Sequence, residues 1–152
     1  MITDAAQERL DQMRDRVHAR CVACGSTNGH VPQLRFTAAQ DGSVEAWFRG
    51  GATFQSYDGI LHGGVIATLL DAAMTNCLFS QGRCGVTGEL TTRFRHPVAS
   101  GEASRLRAWL ERATPPLFVL RAELWQSQEL RATGVGKFME CREEDLLRMT
   151  MR

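Results

Sequence analysis

The chain has 152 residues, of which 43% are hydrophobic and 23% are charged, and its formal net charge is +1. These values are typical of one folded domain, predicted over residues 1–152, and argue against a disordered chain. The near-neutral charge, without a block of like charges, indicates neither a nucleic-acid nor a membrane-surface partner. No uninterrupted apolar run reaches the roughly 18 residues of a membrane span.

Residues 1–20 are predicted to form an N-terminal helix. Leu10, Met13 and Val17 recur at helical spacing, and this narrow apolar stripe is typical of a surface helix packed on a larger body. The segment is charged and lacks the apolar centre of an export signal. Together with the five scattered cysteines, this favours a cytoplasmic protein whose thiols are reduced.

Two strands are predicted next, over residues 33–40 and 43–50, on either side of the hairpin dipeptide Asp41-Gly42. After a loop, a long central helix is predicted over residues 62–80. Four further strands follow, in the segments GVTGELTTRFRHPV, EASRLRAWLERA, LFVLRAELWQS and LRATGVGKFMEC. Because no strand–helix unit repeats, we predict an α+β fold in which an antiparallel sheet wraps around the central helix.

The predicted central helix carries one charge, Asp71, in an otherwise apolar run. Its apolar residues between Val65 and Leu78 cover nearly the whole circumference, which indicates a buried helix. Burying an unpaired carboxylate costs several kcal/mol and raises its pKa. Asp71 is therefore either exposed or paired with an arginine, or it is a catalytic carboxylate that lines a cleft, and we favour the catalytic interpretation.

His62, Gly63 and Gly64 stand at the start of this helix. Backbone N–H groups there lack intrahelical acceptors, and the helix dipole adds positive potential. Glycine also lets a ligand oxygen approach the backbone closely, so the two glycine amides are a candidate oxyanion hole, the alternative being an ordinary turn into the helix.

The spacing of His62 and Asp71 constrains how the two residues could act. Their nine-residue separation puts them on opposite sides of the helix and about 13.5 Å apart along it. They therefore cannot form a dyad within one chain. We predict a two-fold dimer, in which the helix start of one chain faces Asp71 of the other.

The segment HGGVIATLLDAAM, followed by VTGELTTRFRHPV, resembles the hotdog-fold acyl-CoA thioesterases of the phenylacetate-degradation (PaaI-like) type. CVACGSTNGHVPQLRF is similar to the C-x-x-C-G lead-in to the first strand of many such proteins, so the resemblance spans residues 21–140. It implies a hotdog fold, in which a curled antiparallel sheet of five to six strands surrounds the central helix. It also implies homodimers joined edge to edge, and often tetramers of such dimers.

The resemblance further implies hydrolysis of an acyl-CoA thioester, a reaction that requires neither a metal nor an organic cofactor. By position, Asp71 activates water or attacks the thioester carbonyl. The amide of Gly63, with that of Gly64, polarises this carbonyl from the partner subunit. Thr87 matches a Ser/Thr that helps to hold the attacking water, and His62 positions the thioester end of the pocket.

Four further residues are predicted to bind substrate. Many relatives have an asparagine six residues before the histidine, where this chain has Ser56, with Gln55 beside it. The side chain of either residue can form a hydrogen bond at that corner of the pocket. Arg93 and Arg95 are candidates for contacts with the phosphates of coenzyme A, because arginine is a common phosphate partner.

Two other functions remain open at this point. A hydratase acting on enoyl or hydroxyacyl thioesters would pair a histidine with an acid in one pocket, and a non-catalytic acyl-CoA-binding protein would need no such acid. Cys21 and Cys24, with His30 nearby, could suggest zinc, but a single C-x-x-C is a weak signal and we predict no metal site.

Overall fold

The computed structural model describes residues 4–27 and 32–149. Its α-helices and strands are, in chain order, helix α1 (Asp4–Val17), strands β1 (Thr37–Ala38) and β2 (Val44–Phe48), helix α2 (Gly63–Ser80), strands β3 (Gly85–Phe94), β4 (Ser104–Thr114), β5 (Leu117–Gln126) and β6 (Glu129–Glu140), and helix α3 (Glu143–Met149). A short 3-10 helix (Ala52–Phe54) lies in the loop before α2. The predicted order of one helix, two strands, one long helix and four strands is confirmed, and α3 is an addition to it.

All six strands lie in one antiparallel sheet, in the order β1-β2-β4-β5-β6-β3. Strands β4, β5 and β6 pair as consecutive hairpins. Strand β3 precedes them in the chain but pairs with β6 at the far edge of the sheet. The other side of β3 pairs with no strand in the described residues, so β3 is a ten-residue edge strand.

Helix α2 packs on the sheet and on α1, as its apolar circumference predicts. Leu69, Leu70 and Met74 are completely buried there. The glycines of β6 let the helix come close, because a Cβ atom at Gly136 would lie 2.5 Å from the Phe138 ring and 3.0 Å from the sulfur of Met74. A side chain at this position of β6 therefore has no room.

The length of α2, which is 18 residues, and its apolar composition also meet the requirements of a membrane span. The expectation that no segment is long and apolar enough to span a membrane, which considered only uninterrupted apolar runs, is thereby corrected. However, 67% of the helix is buried inside the domain. Packing against the sheet and α1 accounts for its apolar surface without a membrane.

Several predicted boundaries differ from the structure by a few residues, those of the N-terminal helix and of the first strand among them. Helix α1 ends at Val17 rather than at residue 20, and residues 1–3 lie outside the described part of the chain. The first strand is shorter than predicted, because the N–H of Leu34 donates to the carbonyl oxygen of Ala23 at 2.8 Å instead of joining the sheet. Only Thr37 and Ala38 pair with β2.

Candidate active site

Asp71 opens onto a cleft of about 310 Å³, the Asp71 cleft, which is lined by His18, Thr75, Val86 and Thr87 among others. Its Oδ1 accepts a hydrogen bond from the Thr87 hydroxyl at 2.7 Å. Burial raises the pKa of the Asp71 carboxyl above its ordinary value, and the hydrogen bond from Thr87 opposes part of this rise. A carboxyl group with a raised pKa is the stronger base once it is ionised.

The structure places Asp71 on a narrow stripe of α2 that the sheet and α1 do not cover. Gly64, Thr68 and Asp71 recur three or four residues apart, and most other positions from Ile66 onwards, Thr75 included, are buried. Gly64 and Thr68 are exposed, and Thr75 lines the Asp71 cleft. This stripe explains how an ionisable residue lies in a helix that is buried almost all round.

A β-bulge aims Thr87 at Asp71. The pairing of β3 with β6 shifts between Thr87 and Glu89, so Gly88 is an extra residue without a partner. Thr87 pairs with the buried Phe138, and its side chain faces α2, whereas Glu89 pairs with Lys137 on the outer face of the sheet. Uniform alternation would have put Thr87 on the same face as Glu89.

His62 caps the start of α2. Its Nδ1 accepts a hydrogen bond from the N–H of Gly64 at 2.9 Å, so the Gly64 amide is already used within the chain. The N–H of Gly63 has no acceptor among the described residues. Of the two amides predicted to form an oxyanion hole, the structure therefore leaves that of Gly63 free.

Gly63 lines a second opening of about 440 Å³, the Gly63 groove, together with Ser56, Ile60, Phe94 and Arg95 among others. Its walls are largely apolar, apart from Ser56 and the basic side chains at its rim. It lies against the loop that precedes α2 and the end of β3. The groove therefore combines an apolar surface, a free amide and a cation.

The structure does not bring two of the predicted binding residues into the Gly63 groove. The Oε1 atom of Gln55 accepts a hydrogen bond from the N–H of Gly59 at 3.1 Å, inside its own loop. Arg93 pairs with Thr133 on the outer face of the sheet, away from α2. Among the predicted polar residues, Ser56 and Arg95 are those that reach the groove.

The Asp71 cleft and the Gly63 groove share none of their lining residues. Gly63 and Asp71 lie about 12 Å apart along the axis of α2, given the rise of about 1.5 Å per residue. One chain therefore holds the carboxylate and the free amide at separate places. This separation agrees with the argument from sequence spacing.

Sequence reasoning missed His18, which lines the Asp71 cleft. His18, at the end of α1, lies beside Cys21 and Cys24, and their three potential ligand atoms are within 4.8 Å of one another. His30, the histidine considered with this cysteine pair, lies outside the described residues. The signal that could have found His18 is its position three residues before Cys21.

The thiols of Cys21 and Cys24 affect each other strongly. A hydrogen bond between the two sulfurs lowers the pKa of Cys21 and raises that of Cys24, and burial raises the pKa of Cys24 further. All five cysteines are free. Cys21 lies close enough to Asp71 to add to the rise in the pKa of its carboxyl.

Comparison with known proteins identifies the family. The model of the thioesterase superfamily matches residues 58–133, a segment that contains Gly63, Asp71 and Thr87. A stretch of 51 residues is 39% identical to acyl-coenzyme A thioesterase THEM4 of Bos taurus. This match covers 34% of the chain but only 20% of the bovine protein.

Solved structures confirm the hotdog fold. The E. coli PaaI protein from the phenylacetic acid degradation operon superposes with a TM-score of 0.76 and 20% identity, covering 93% of this chain and 97% of that one. Smu.793 from Streptococcus mutans UA159, bound to acetyl CoA, superposes with a TM-score of 0.68 and 16% identity, over 72% of this chain and 90% of that one. The resemblance noted in the sequence is thus confirmed in family and fold.

Proposed function

Because this chain belongs to the thioesterase superfamily, whose model covers half of its sequence, we propose that it hydrolyses the thioester bond of an acyl-coenzyme A. The products are a free acid and coenzyme A. The observation that carries the proposal is the half-buried carboxylate of Asp71, held by the Thr87 hydroxyl in an open cleft. The likeness to a bovine acyl-CoA thioesterase and to a protein bound to acetyl CoA supports this substrate class.

Asp71 acts in the proposed reaction as the general base for water or as the nucleophile. In either role its carboxylate must be ionised, and its raised pKa makes it more basic than an ordinary aspartate. The Thr87 hydroxyl donates to Oδ1 of Asp71, so its oxygen retains lone pairs that can accept from a water molecule. Thr87 would thereby place the attacking water next to the base.

The N–H of Gly63 is the proposed donor to the thioester carbonyl. The oxygen of this carbonyl gains negative charge as the tetrahedral intermediate forms, and a preorganised amide at a helix N-terminus stabilises that charge. The cap formed by His62 and Gly64 holds the first turn of α2 in place. His62 would thus position the donor through the backbone.

A complete site requires a second copy of the chain, because Gly63 and Asp71 lie apart in one copy. The free edge of β3 is a ready template for pairing with another strand. If two β3 strands pair antiparallel about their centres, the Thr87 end of one strand lies beside the Phe94 end of its partner. The Asp71 cleft of one subunit would then meet the partner's Gly63 groove.

The Gly63 groove is the proposed binding surface for the acyl-CoA. Its apolar walls suit an acyl chain, and Ser56 can form a hydrogen bond where relatives have asparagine. The guanidinium group of Arg95 is exposed and forms no ion pair with the described residues. It is therefore free to meet a phosphate of coenzyme A.

The activity is tested by incubating the purified protein with a panel of acyl-CoAs and a chromogenic thiol-trapping reagent. We expect release of coenzyme A, and a decrease in kcat of roughly 10²–10⁴-fold in Asp71→Asn, the usual range for loss of a general base. Glu8→Gln, which removes one exposed carboxylate from α1, is the matched control and should retain activity. No thiol release from any substrate would reject the proposed reaction, and full activity of Asp71→Asn would reject the role of Asp71.

The shared site is tested by mixing two inactive variants. A mixed dimer of Asp71→Asn and Gly63→Pro contains one site with an intact carboxylate and an intact amide. Random exchange of subunits should therefore restore about a quarter of the wild-type activity per chain. A mixture that stays inactive, although mass spectrometry shows mixed dimers, would contradict a site formed between subunits.

A further inference from the structure

The side chains of His18, Cys21 and Cys24, the His-Cys cluster, have the spacing of a metal site. The Nδ1 atom of His18 lies 3.6 Å from the Sγ atom of Cys24, and all three ligand atoms lie within 4.8 Å of one another. In tetrahedral zinc sites the Zn–S and Zn–N bonds of about 2.3 and 2.0–2.1 Å place a sulfur and a nitrogen about 3.6 Å apart. One ion therefore fits between His18 and Cys24 without rearrangement of this pair.

The backbone around the His-Cys cluster is tightly folded. The N–H of Cys21 donates to the carbonyl oxygen of His18, and that of Gly25 donates to the carbonyl oxygen of Cys21, both at 3.0 Å. A Cβ atom at Gly25 would lie 2.6 Å from the carbonyl oxygen of Ala19 and from the backbone of Cys21, so only glycine fits there. This turn sets the two sulfurs beside the end of α1.

Hydrogen-bond donors already surround both sulfurs. The N–H of Ala23 donates to the Sγ atom of Cys21 at 3.4 Å. The Nδ2 atom of Asn76 donates to the Sγ atom of Cys24 at 3.4 Å and to the carbonyl oxygen of Ala72 at 2.8 Å. Asn76 is completely buried, and its Oδ1 atom has no partner among the described residues. Donors of this kind orient metal-bound thiolates and offset their negative charge.

We propose that His18, through Nδ1, together with Cys21 and Cys24, binds a single zinc ion. No other His, Cys, Asp or Glu of the described residues joins the cluster. Three protein ligands leave the fourth tetrahedral position to water or to a small ligand. Because His18 also lines the Asp71 cleft, the ion would fix one side chain in the wall of that cleft.

Zinc binding is independent of the proposed hydrolysis and is measured without it. The full chain, purified in reducing buffer, is loaded with zinc, desalted and analysed for metal content, and a parallel sample is titrated with Co²⁺. We expect one zinc ion per chain and intense near-ultraviolet absorption from thiolate-to-cobalt charge transfer. Cys21→Ser and His18→Gln should each weaken metal binding at least about tenfold.

Cys141→Ser is the matched control, because Cys141 is also a half-buried free thiol but lies outside the His-Cys cluster. It should bind metal like the wild type. Zinc should raise the Tm of the wild type and of Cys141→Ser, but not that of His18→Gln, since only a bound ion stabilises the fold. His18 follows α1 and is half-buried, so His18→Gln decides the matter if Cys21→Ser does not fold.

Two results would overturn the proposal. In the first, reduced wild-type protein retains no zinc and shows no charge-transfer band with Co²⁺. In the second, zinc binds equally well to His18→Gln and to the wild type. A disulfide between Cys21 and Cys24 that persists in the reducing buffer, detected as a mass lower by two hydrogens, would count with the first result.

Discussion

Replacing Gly63 by proline removes one N–H group and alters little else, so it isolates the proposed oxyanion donor. Gly63 is the first residue of α2, a position that proline tolerates because no intrahelical hydrogen bond is lost. His62 has φ −63° and ψ 134°, the extended backbone preferred before a proline. Gly63→Ala is the matched control, because its Cβ atom would lie 3.6 Å from the Phe94 ring, an ordinary contact.

The expected size of the effect follows from the loss of a single donor. Removing one oxyanion-hole hydrogen bond costs about 2.7–4 kcal/mol, or roughly 10²–10³-fold in kcat. We expect this loss in Gly63→Pro, and activity close to wild type in Gly63→Ala, which keeps the N–H. The Tm of Gly63→Pro should equal or slightly exceed that of the wild type, because proline restricts the unfolded chain.

Steady-state thiol release and thermal unfolding followed by circular dichroism measure both effects on the same samples. A folded Gly63→Pro protein that hydrolyses acyl-CoA at the wild-type rate would refute the assignment of the Gly63 amide. An equal loss in Gly63→Pro and Gly63→Ala would also refute it, because the alanine variant keeps the donor.

Three further predictions concern pH, substrate binding and packing. Burial raises the pKa of Asp71 and the reaction needs its carboxylate, so kcat/KM should fall as the pH falls through a midpoint above the ordinary 3.8. Thr87→Val removes the hydrogen bond that lowers this pKa, so it should move the acidic limb of the pH profile to higher pH. An unmoved limb would contradict the coupling of Thr87 to Asp71. Arg95→Ala should raise KM roughly fivefold at unchanged kcat, the equivalent of about 1 kcal/mol for an exposed charge pair, whereas Arg93→Ala, on the outer face, should leave both constants unchanged. Gly136→Ala should lower the free energy of unfolding in urea by about 1–3 kcal/mol through overpacking, and unaltered stability would show that α2 can shift away from β6.

The sequence predicts the central helix and the position of Asp71 at a cleft well because their signals are local. An apolar run that covers the whole circumference indicates burial wherever it occurs, and a single carboxylate within it indicates a cleft. The separation of Gly63 from Asp71 likewise follows from helix geometry alone. These conclusions need no knowledge of how the helix packs on its neighbours.

The features that the sequence does not predict depend on contacts between distant segments. Leu34 belongs to the first predicted strand, but in the structure its N–H donates to the carbonyl oxygen of Ala23, in the loop after α1. His18 joins the cysteine pair because the chain folds back on the end of α1. Hydrophobic periodicity contains no information on either contact, since both depend on the path of a loop.

The bulge at Gly88 has a consequence for anyone who redesigns the proposed substrate pocket. Strand β3 contains two alternations of opposite phase, which meet at this glycine. Even-numbered residues from Leu90 to Phe94 face α2, whereas before the bulge it is the odd-numbered Thr87 that does so. A library that selects every second position along the whole strand would therefore diversify the pocket in one half of β3 and the outer surface in the other.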